Sequence, residues 1–590
     1  MNMMNKIKRD AILIAAFLSL LFIIFALGYS HSYAPGAFPD EFAHMGYVND
    51  VIKHHFPDYI NGLVYSTNKL NYLNHPALYY MVVGELAALL HLQDVFVSVG
   101  RYVNMVVSVF IIALTCAMIY KTTKSRLATL TGGMLLLIVP MFVVLGSAVN
   151  NDQVNILGCT LVIYGLIQLM EVDKDKPNIT FSLILLCAGG VIASLSKATG
   201  SLAIFCLLLS VAVFNFSALV ELIKKLTLKH ILIIASSLAI VAFYFLYMHV
   251  VYGKFYPAPQ GNPATWFFVD NPTAGRLSLL DFAITFWQKN LYTLASPYGH
   301  VIIIDSAVRE IVFKCILIML VIMAGFVLLA KTVKKNTRMD IVFSFIIAFI
   351  LFCIVYLFTI RQMHMNSGYL GAMQARYFFG FLPVFALVLA KCISSLNSKI
   401  AKVSVLVVMV TGLVTSAYPA LVKYSHLRMW QADVFVEQPL YEYQYGNLTS
   451  GRSFEQSFLA KSDSLHGVEL LLSTFARVNH GLLTLELLDS AGKVIASDKL
   501  SMETLKDTAY AWFDFNHVGL THDQQYRLRL SCNACTQDNS ISWWAIRKDA
   551  EVPIFLLSKF GPAELKLYPE GESFVDGTKV SGAFAFRLYF

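Results

Sequence analysis

Asp40 and Glu41 stand side by side just past the first apolar segment, in the run Phe38-Pro39-Asp40-Glu41-Phe42-Ala43-His44. A carboxylate can take a proton from a hydroxyl held within hydrogen-bond reach. An acid beside a membrane segment also costs free energy, so two acids and a His at its mouth mark a candidate site. A second motif, Asn74-His75-Pro76-Ala77-Leu78-Tyr79-Tyr80, opens another apolar helix, and the two motifs bracket one loop. Further along, polar residues interrupt apolar stretches at Asn150-Asn151-Asp152, at Ser196-Lys197-Ala198-Thr199-Gly200, and between Arg361 and Arg376, where His364 and Gln374 also lie.

The elements that must position these residues are membrane helices. The chain has 590 residues, of which 57% are hydrophobic and 14% charged. Several apolar runs reach the roughly 18 to 20 residues that span a bilayer. The formal charge of +8 does not point to nucleic acid, because Lys and Arg fall in short clusters between apolar runs. Those clusters, Lys6 to Arg9, Lys121 to Arg126, Lys174 and Lys176, Lys224 to Lys229, Lys331 to Arg338 and Lys391 to Lys402, mark the cytoplasmic side. Apolar runs lie near 11–28, 100–120, 127–146, 153–170, 180–195, 201–219, 231–251, 309–330, 340–360, 377–393 and 402–420. About eleven crossings from an inside N-terminus leave the C-terminus outside. This holds if 76–92 is re-entrant or surface-lying; the competing reading has 76–92 spanning and a neighbouring run not. The first run has a basic start, as a signal peptide does, but its length favours a retained helix.

Residues 1–425 thus form a helical membrane domain, with outer loops at 29–75 and 252–308. The second loop carries Trp266, Trp287 and Tyr292, which suit either a substrate cover or an interfacial aromatic belt. Residues 426–590 change character. Short alternating segments at 467–476, 481–488, 493–497, 510–515, 526–530, 541–546 and 583–590, split by Gly, Asn and Asp, predict an antiparallel β-sandwich outside the cytoplasm. Trp512, Trp543 and Trp544 either fill its core or stack on a sugar. Cys532 and Cys535 suit a local disulfide in that compartment.

The ordered motifs resemble the membrane glycosyltransferases of the GT-C superfamily, which include protein O-mannosyltransferases and lipid A aminoarabinose transferases. They are most similar to the bacterial GT-C-like family known as DUF2142. The matching residues are Pro39-Asp40-Glu41-Phe42-Ala43-His44, Asn74-His75-Pro76-Ala77-Leu78-Tyr79-Tyr80, Pro140 with Asn150-Asn151-Asp152, Ser196-Lys197, and Gln374-Ala375-Arg376-Tyr377-Phe378 with Leu382-Pro383. Ala77 stands where a second Pro is common.

The resemblance implies transfer of a sugar at the outer membrane face, with inversion. The donor would be a sugar on a polyprenyl phosphate, and the acceptor a glycan, lipid or protein hydroxyl. Asp40 matches the family's catalytic Asp and is the expected base. Glu41 orients the acceptor, holds the loop, acts as the base itself, or forms a structural salt bridge. Arg376 is the expected phosphate ligand, because its planar fork suits phosphate. Lys197 and Arg361 are second choices, and Arg361 also suits a helix-end anchor. His44, His75, Asp152 and Gln374 are candidate substrate contacts, although Asp152 also suits a helix cap. Asp40, His44 and Asp152 together are a candidate set for a divalent cation. Competing functions are a lipid-linked saccharide transporter or flippase, an O-antigen ligase or polymerase, and a non-catalytic glycan-binding envelope protein.

Overall fold

The computed structural model describes residues 2–32, 40–57, 75–170, 178–253, 255, 276–294, 315, 341–367, 372–425, 435–438, 441, 443–475, 477–505, 507–546, 568 and 570–590. The first part is helical: α1 (Asn2–Ser32), α2 (Glu41–His54), α3 (Leu78–Leu89), α4 (Phe96–Thr123), α5 (Arg126–Ile138), α6 (Pro140–Gly146), α7 (Asp152–Met170), α8 (Ile179–Ser194), α9 (Ala198–Phe214), α10 (Phe216–Ile223) and α11 (Leu228–Tyr252). Then come α12 (Leu279–Leu294), α13 (Ile341–Ser367), a 3-10 turn (Ala375–Phe381), α14 (Leu382–Ser395) and α15 (Lys399–Ser425).

Among the described residues, seven helices are long and apolar enough to cross a membrane, or nine if each of two bent pairs is one span. The chain is an integral membrane protein. The eleven crossings read from the sequence are not all recovered. Helix α8 has 16 residues, short of a full span. The run 309–330 lies outside the described residues apart from Cys315. Helix α3 has 12 residues, about 18 Å at 1.5 Å per residue, against about 30 Å of hydrocarbon. It cannot cross alone.

Two local features bring the candidate residues together. Pro140 lacks an N–H and clashes with the carbonyl four residues back, so α5 ends and α6 restarts with Pro at its first turn. The two axes differ by 71°. The loop that follows keeps its backbone satisfied inside the protein, as irregular backbone in a membrane domain must. Asn104 Nδ2 donates to the carbonyls of Ala148 at 2.6 Å and Asn150 at 2.9 Å. The second feature is close helix packing. A Cβ on Gly158 of α7 would stand 2.5 Å from the Ala193 amide nitrogen and 2.8 Å from the Gly189 carbonyl of α8. Small residues let helix backbones approach, and this approach sets the start of α7 against the break between α8 and α9.

The C-terminal part is two antiparallel sheets over a shared apolar core that includes Leu470, Phe513, Leu528 and Trp543. One sheet runs β1-β13-β4-β9-β12, with β2 on β9 and β7 on β4; the other runs β11-β10-β3-β8-β5-β6. The strands of the first sheet are β1 (Phe435–Gln438), β2 (Tyr443–Gln444), β4 (Ser464–Ser473), β7 (Ala509–Gly519), β9 (Ser542–Ile546), β12 (Ala583–Phe584) and β13 (Phe586–Tyr589). Those of the second are β3 (Ser453–Leu459), β5 (Leu482–Leu488), β6 (Val494–Ser501), β8 (Gln525–Ser531), β10 (Ser573–Val575) and β11 (Thr578–Val580). The sequence pattern misses β3, whose centre is Glu455-Gln456-Ser457. Gln456 is buried because its Oε1 accepts from Ser573 Oγ at 2.7 Å and from the Phe584 amide at 2.9 Å. Cys532 and Cys535 form a disulfide. Trp543 is fully buried, with its ring N–H donated to the Ala585 carbonyl at 2.8 Å, so it belongs to the core.

Candidate functional site

Asp40 precedes α2 in the left-handed region, with φ 58° and ψ 9°, and its side chain makes no cap bond. Asp tolerates this region better than most residues, yet such a pose costs roughly 1–3 kcal/mol and persists only where surroundings impose it. Here the carboxylate is ion-paired with Arg376. Arg376 sits on the 3-10 turn, whose first amide, that of Ala375, donates to Thr293 Oγ1 at 2.8 Å. Its Nη1 lies 3.6 Å from Asp152 Oδ2. Lys197 Nζ lies 2.5 Å from Asp152 Oδ1. The Tyr377 ring lies beneath both cations, 4.9 Å from Lys197 Nζ and 5.3 Å from the Arg376 guanidinium carbon.

Four residues far apart in sequence thus form one chain of alternating charge, Asp40–Arg376–Asp152–Lys197. The Arg376, Asp152 and Lys197 side chains are 3%, 1% and 4% exposed, against 22% for Asp40. Asp40 is the member that a substrate can reach. Asp152 does not cap α7. The Asn150 side chain takes the Asp152 amide at 2.9 Å, which leaves the Asp152 carboxylate for the two cations.

The histidines flank this chain. His44 Nδ1 is 2.7 Å from the Tyr80 hydroxyl. Tyr80 stacks on Tyr47 at 3.7 Å, and Tyr47 donates to the His75 carbonyl at 2.9 Å. Burial, and then the Lys197 charge, push the His75 imidazole down to about 3. Burial, and then His75, hold His44 well below its ordinary value. Both rings are neutral near pH 7, so they offer hydrogen bonds and not charge. An unfolded His takes its proton near pH 6.5. Between that pH and the depressed folded value the unfolded chain binds more protons, so their stabilisation is complete above pH 6.5 and is lost as pH falls. Each pH unit of acidification costs up to about 1.4 kcal/mol per ring. The melting temperature is expected to drop by several degrees from pH 7 to pH 5, and His75→Asn is expected to flatten that slope in a thermal-unfolding series.

Glu41 takes a structural place. Arg101 Nε and Nη2 donate to its two oxygens at 2.9 and 2.8 Å, and the Val149 amide donates to Oε1 at 2.8 Å. Arg101 Nη1 also holds the Ser30 carbonyl at 2.8 Å. Glu41 is fully buried and pins α2 to α1, α4 and the loop before α7. Its carboxylate is committed to these donors, which corrects its reading as a base or acceptor contact. Sequence reasoning missed Arg101, because an Arg in the first turn of a membrane helix reads as an interfacial anchor. Its one signal is an acid needing a partner elsewhere. Arg101→Met is expected to cost about 3–5 kcal/mol, since it leaves a buried charge unpaired. Glu41→Gln added to it is expected to recover most of that loss in thermal unfolding.

Other candidates lie apart. Arg361 makes no ion pair among the described residues, and its Nε has no hydrogen-bond partner. It is not drawn into the charge chain. Gln374 directly precedes the 3-10 turn, and its buried Oε1 has no partner. No group of three His, Cys, Asp or Glu side chains is gathered as a cation site among the described residues. Asp40, His44 and Asp152 do not fit one, since Asp152 is held by Lys197 and Arg376, Asp40 by Arg376, and His44 by Tyr80. Asn74, Trp266 and most of loop 252–308 lie outside the described residues. Trp287 packs 6.0 Å from Phe378.

No family model and no curated protein matches the chain. Among solved structures, the chain is similar to ArnT from Cupriavidus metallidurans bound to undecaprenyl phosphate, with a TM-score of 0.41, 14% identity, and 70% of this chain and 75% of that one covered. It is also similar to the oligosaccharyltransferase of Archaeoglobus fulgidus in its apo form, with a TM-score of 0.40, 11% identity, and 70% of this chain and 56% of that one covered. The same archaeal enzyme, AglB, in complex with an inhibitory peptide and a dolichol-phosphate, matches with a TM-score of 0.39 and 11% identity over 70% of this chain and 56% of that one.

Proposed function

We propose that the protein transfers a sugar from a polyprenyl-phosphate carrier to a hydroxyl of a glycan, lipid or protein acceptor, with Asp40 as general base. The observation that carries this reading is the charge chain, with one reachable carboxylate at its end and two buried cations behind it. The acceptor hydroxyl oxygen attacks the anomeric carbon while Asp40 takes its proton. The bond from that carbon to the phosphate oxygen breaks, and the lipid phosphate leaves with the electron pair. Negative charge grows on that oxygen, and fixed cations in a water-poor site stabilise it well. Arg376 offers a planar fork for phosphate, and Lys197 adds a second charge. A single displacement of this kind inverts the anomeric carbon. The motif resemblance supplies the donor class. Neutral His44 and His75 are suited to hold substrate hydroxyls by hydrogen bonds.

The site is read as facing outward. The four residues lie at the starts of α2, α7, α9 and α14. The opposite helix ends carry Lys121, Lys124 and Arg126, with Lys391 and Lys399 nearby, and such clusters stay in the cytoplasm. The test uses the purified protein in lipid nanodiscs with polyprenyl-phosphate-linked sugars and a sugar or lipid acceptor. Acceptor-dependent release of polyprenyl phosphate is expected. Movement of the intact donor between leaflets of a sealed vesicle, with no release, would establish the flippase reading instead.

A further inference from the structure

We infer that the C-terminal sandwich is a working part of the transfer site: its Tyr441 and Ile546 close over α2 beside the Glu41–Arg101 pair and act as positioning residues for Asp40. This inference rests on the reading of Asp40 as the base. Ile546 ends β9, is fully buried, and shares one apolar cluster with Met45, Val48 and Val51 of α2 and with Val83 of α3. Tyr441, in the chain leading to β2, is 2% exposed and packs with Leu471, Tyr510 and Ala585 of the sandwich. Trp544 meets it edge-on at 5.2 Å. The charges of Glu41 and Arg101 reach the Tyr441 hydroxyl, which burial and then Glu41 push well above the ordinary phenol range. Ala509, at the start of β7, joins the main core of the helical part. The seam therefore touches both the helix that carries Asp40 and the bundle behind it.

Buried polar groups back the seam on the sandwich side. The Arg587 guanidinium lies 3.9 Å over the Tyr510 ring, and its Nη1 is 3.2 Å from Glu469 Oε2. Tyr589 donates to the same oxygen at 2.7 Å. Satisfied buried networks of this kind hold side chains in one arrangement. Helix α2 needs such support. It has 14 residues, a length at which an isolated helix is marginal in water. The strained backbone of Asp40 is joined directly to Glu41, so any loosening of α2 moves the base. Misplacing a reacting group by about 1 Å can cost on the order of 100-fold in rate.

The test uses the full chain in nanodiscs, with Tyr441→Phe, Ile546→Asp and the conservative Ile546→Val. Two quantities are read: kcat and KM for the lipid-linked donor, and hydrogen exchange of the amides in residues 41–54. Ile546→Asp is expected to lower kcat by about 10- to 100-fold with little change in donor KM, and to raise exchange in 41–54 while α7 to α9 stay protected. Tyr441→Phe, which keeps the ring, is expected to show the same pattern more weakly, and Ile546→Val to behave as wild type. Wild-type exchange in 41–54 for both Ile546→Asp and Tyr441→Phe would overturn the inference. Exchange rising throughout the bundle in Tyr441→Phe would overturn it too, since the seam would then serve the whole fold. The exchange result stands whether or not Asp40 proves to be the base, so the two ideas fail separately.

Discussion

Asp40→Asn is expected to lower kcat by about 10²- to 10⁴-fold, the usual range for loss of a general base. The donor KM is expected to change by less than about threefold, because the loss falls on the transition state. Asn is close to Asp in size and tolerates the left-handed backbone that this position requires. Arg376 keeps Asp152 at 3.6 Å in the variant, so the turn that carries it stays in place. The melting temperature is therefore expected to stay near that of wild type, which separates lost chemistry from lost fold. Asp40→Glu keeps the acid but moves it by a methylene, and an intermediate rate is expected. Initial rates of polyprenyl phosphate release at saturating donor check both variants.

Lys197→Met is expected to have the largest effect on stability. Asp152 and Lys197 are both buried, and their atoms meet at 2.5 Å. Removing the ammonium leaves a carboxylate whose remaining cation, Arg376, stands 3.6 Å away and is shared with Asp40. Breaking a buried pair on one side costs about 3–5 kcal/mol. A well-packed neutral replacement of both partners costs far less. The double variant Lys197→Met with Asp152→Asn is thus expected to recover most of the melting temperature but not the transfer activity. Thermal unfolding beside initial rates distinguishes these outcomes. Recovery of both would show that the pair serves the fold alone.

The charge chain was legible in the sequence to an unusual degree, and the reason is physical. Asp40, Asp152, Lys197 and Arg376 each interrupt apolar surroundings, where a charge is costly, so each announces itself without any structure. What the sequence does not carry is the pairing. Nothing in the run Asp40-Glu41 tells which acid faces substrate. Arg101, sixty positions on, decides it by taking Glu41. Asp152 reads as a helix cap from its place in Asn150-Asn151-Asp152, yet Asn150 does that work. The cation set of Asp40, His44 and Asp152 fails for the same reason, since charge partners from distant helices occupy it first. In the sandwich, alternation finds the strands with one buried face and misses β3, whose buried Gln456 is satisfied by Ser573 and Phe584 more than a hundred residues away. The helix count fares less well: α8 falls short of a full span, and part of the chain lies outside the described residues.

The most direct measurement is a comparison of envelope glycans from cells whose only copy of this gene is wild type or Asp40→Asn, at matched protein levels in the membrane. Loss of one glycan modification in the variant, with accumulation of its lipid-linked sugar precursor, is the expected result. Glycans and precursor unchanged from wild type would contradict the assignment of Asp40 as the base of a glycosyl transfer.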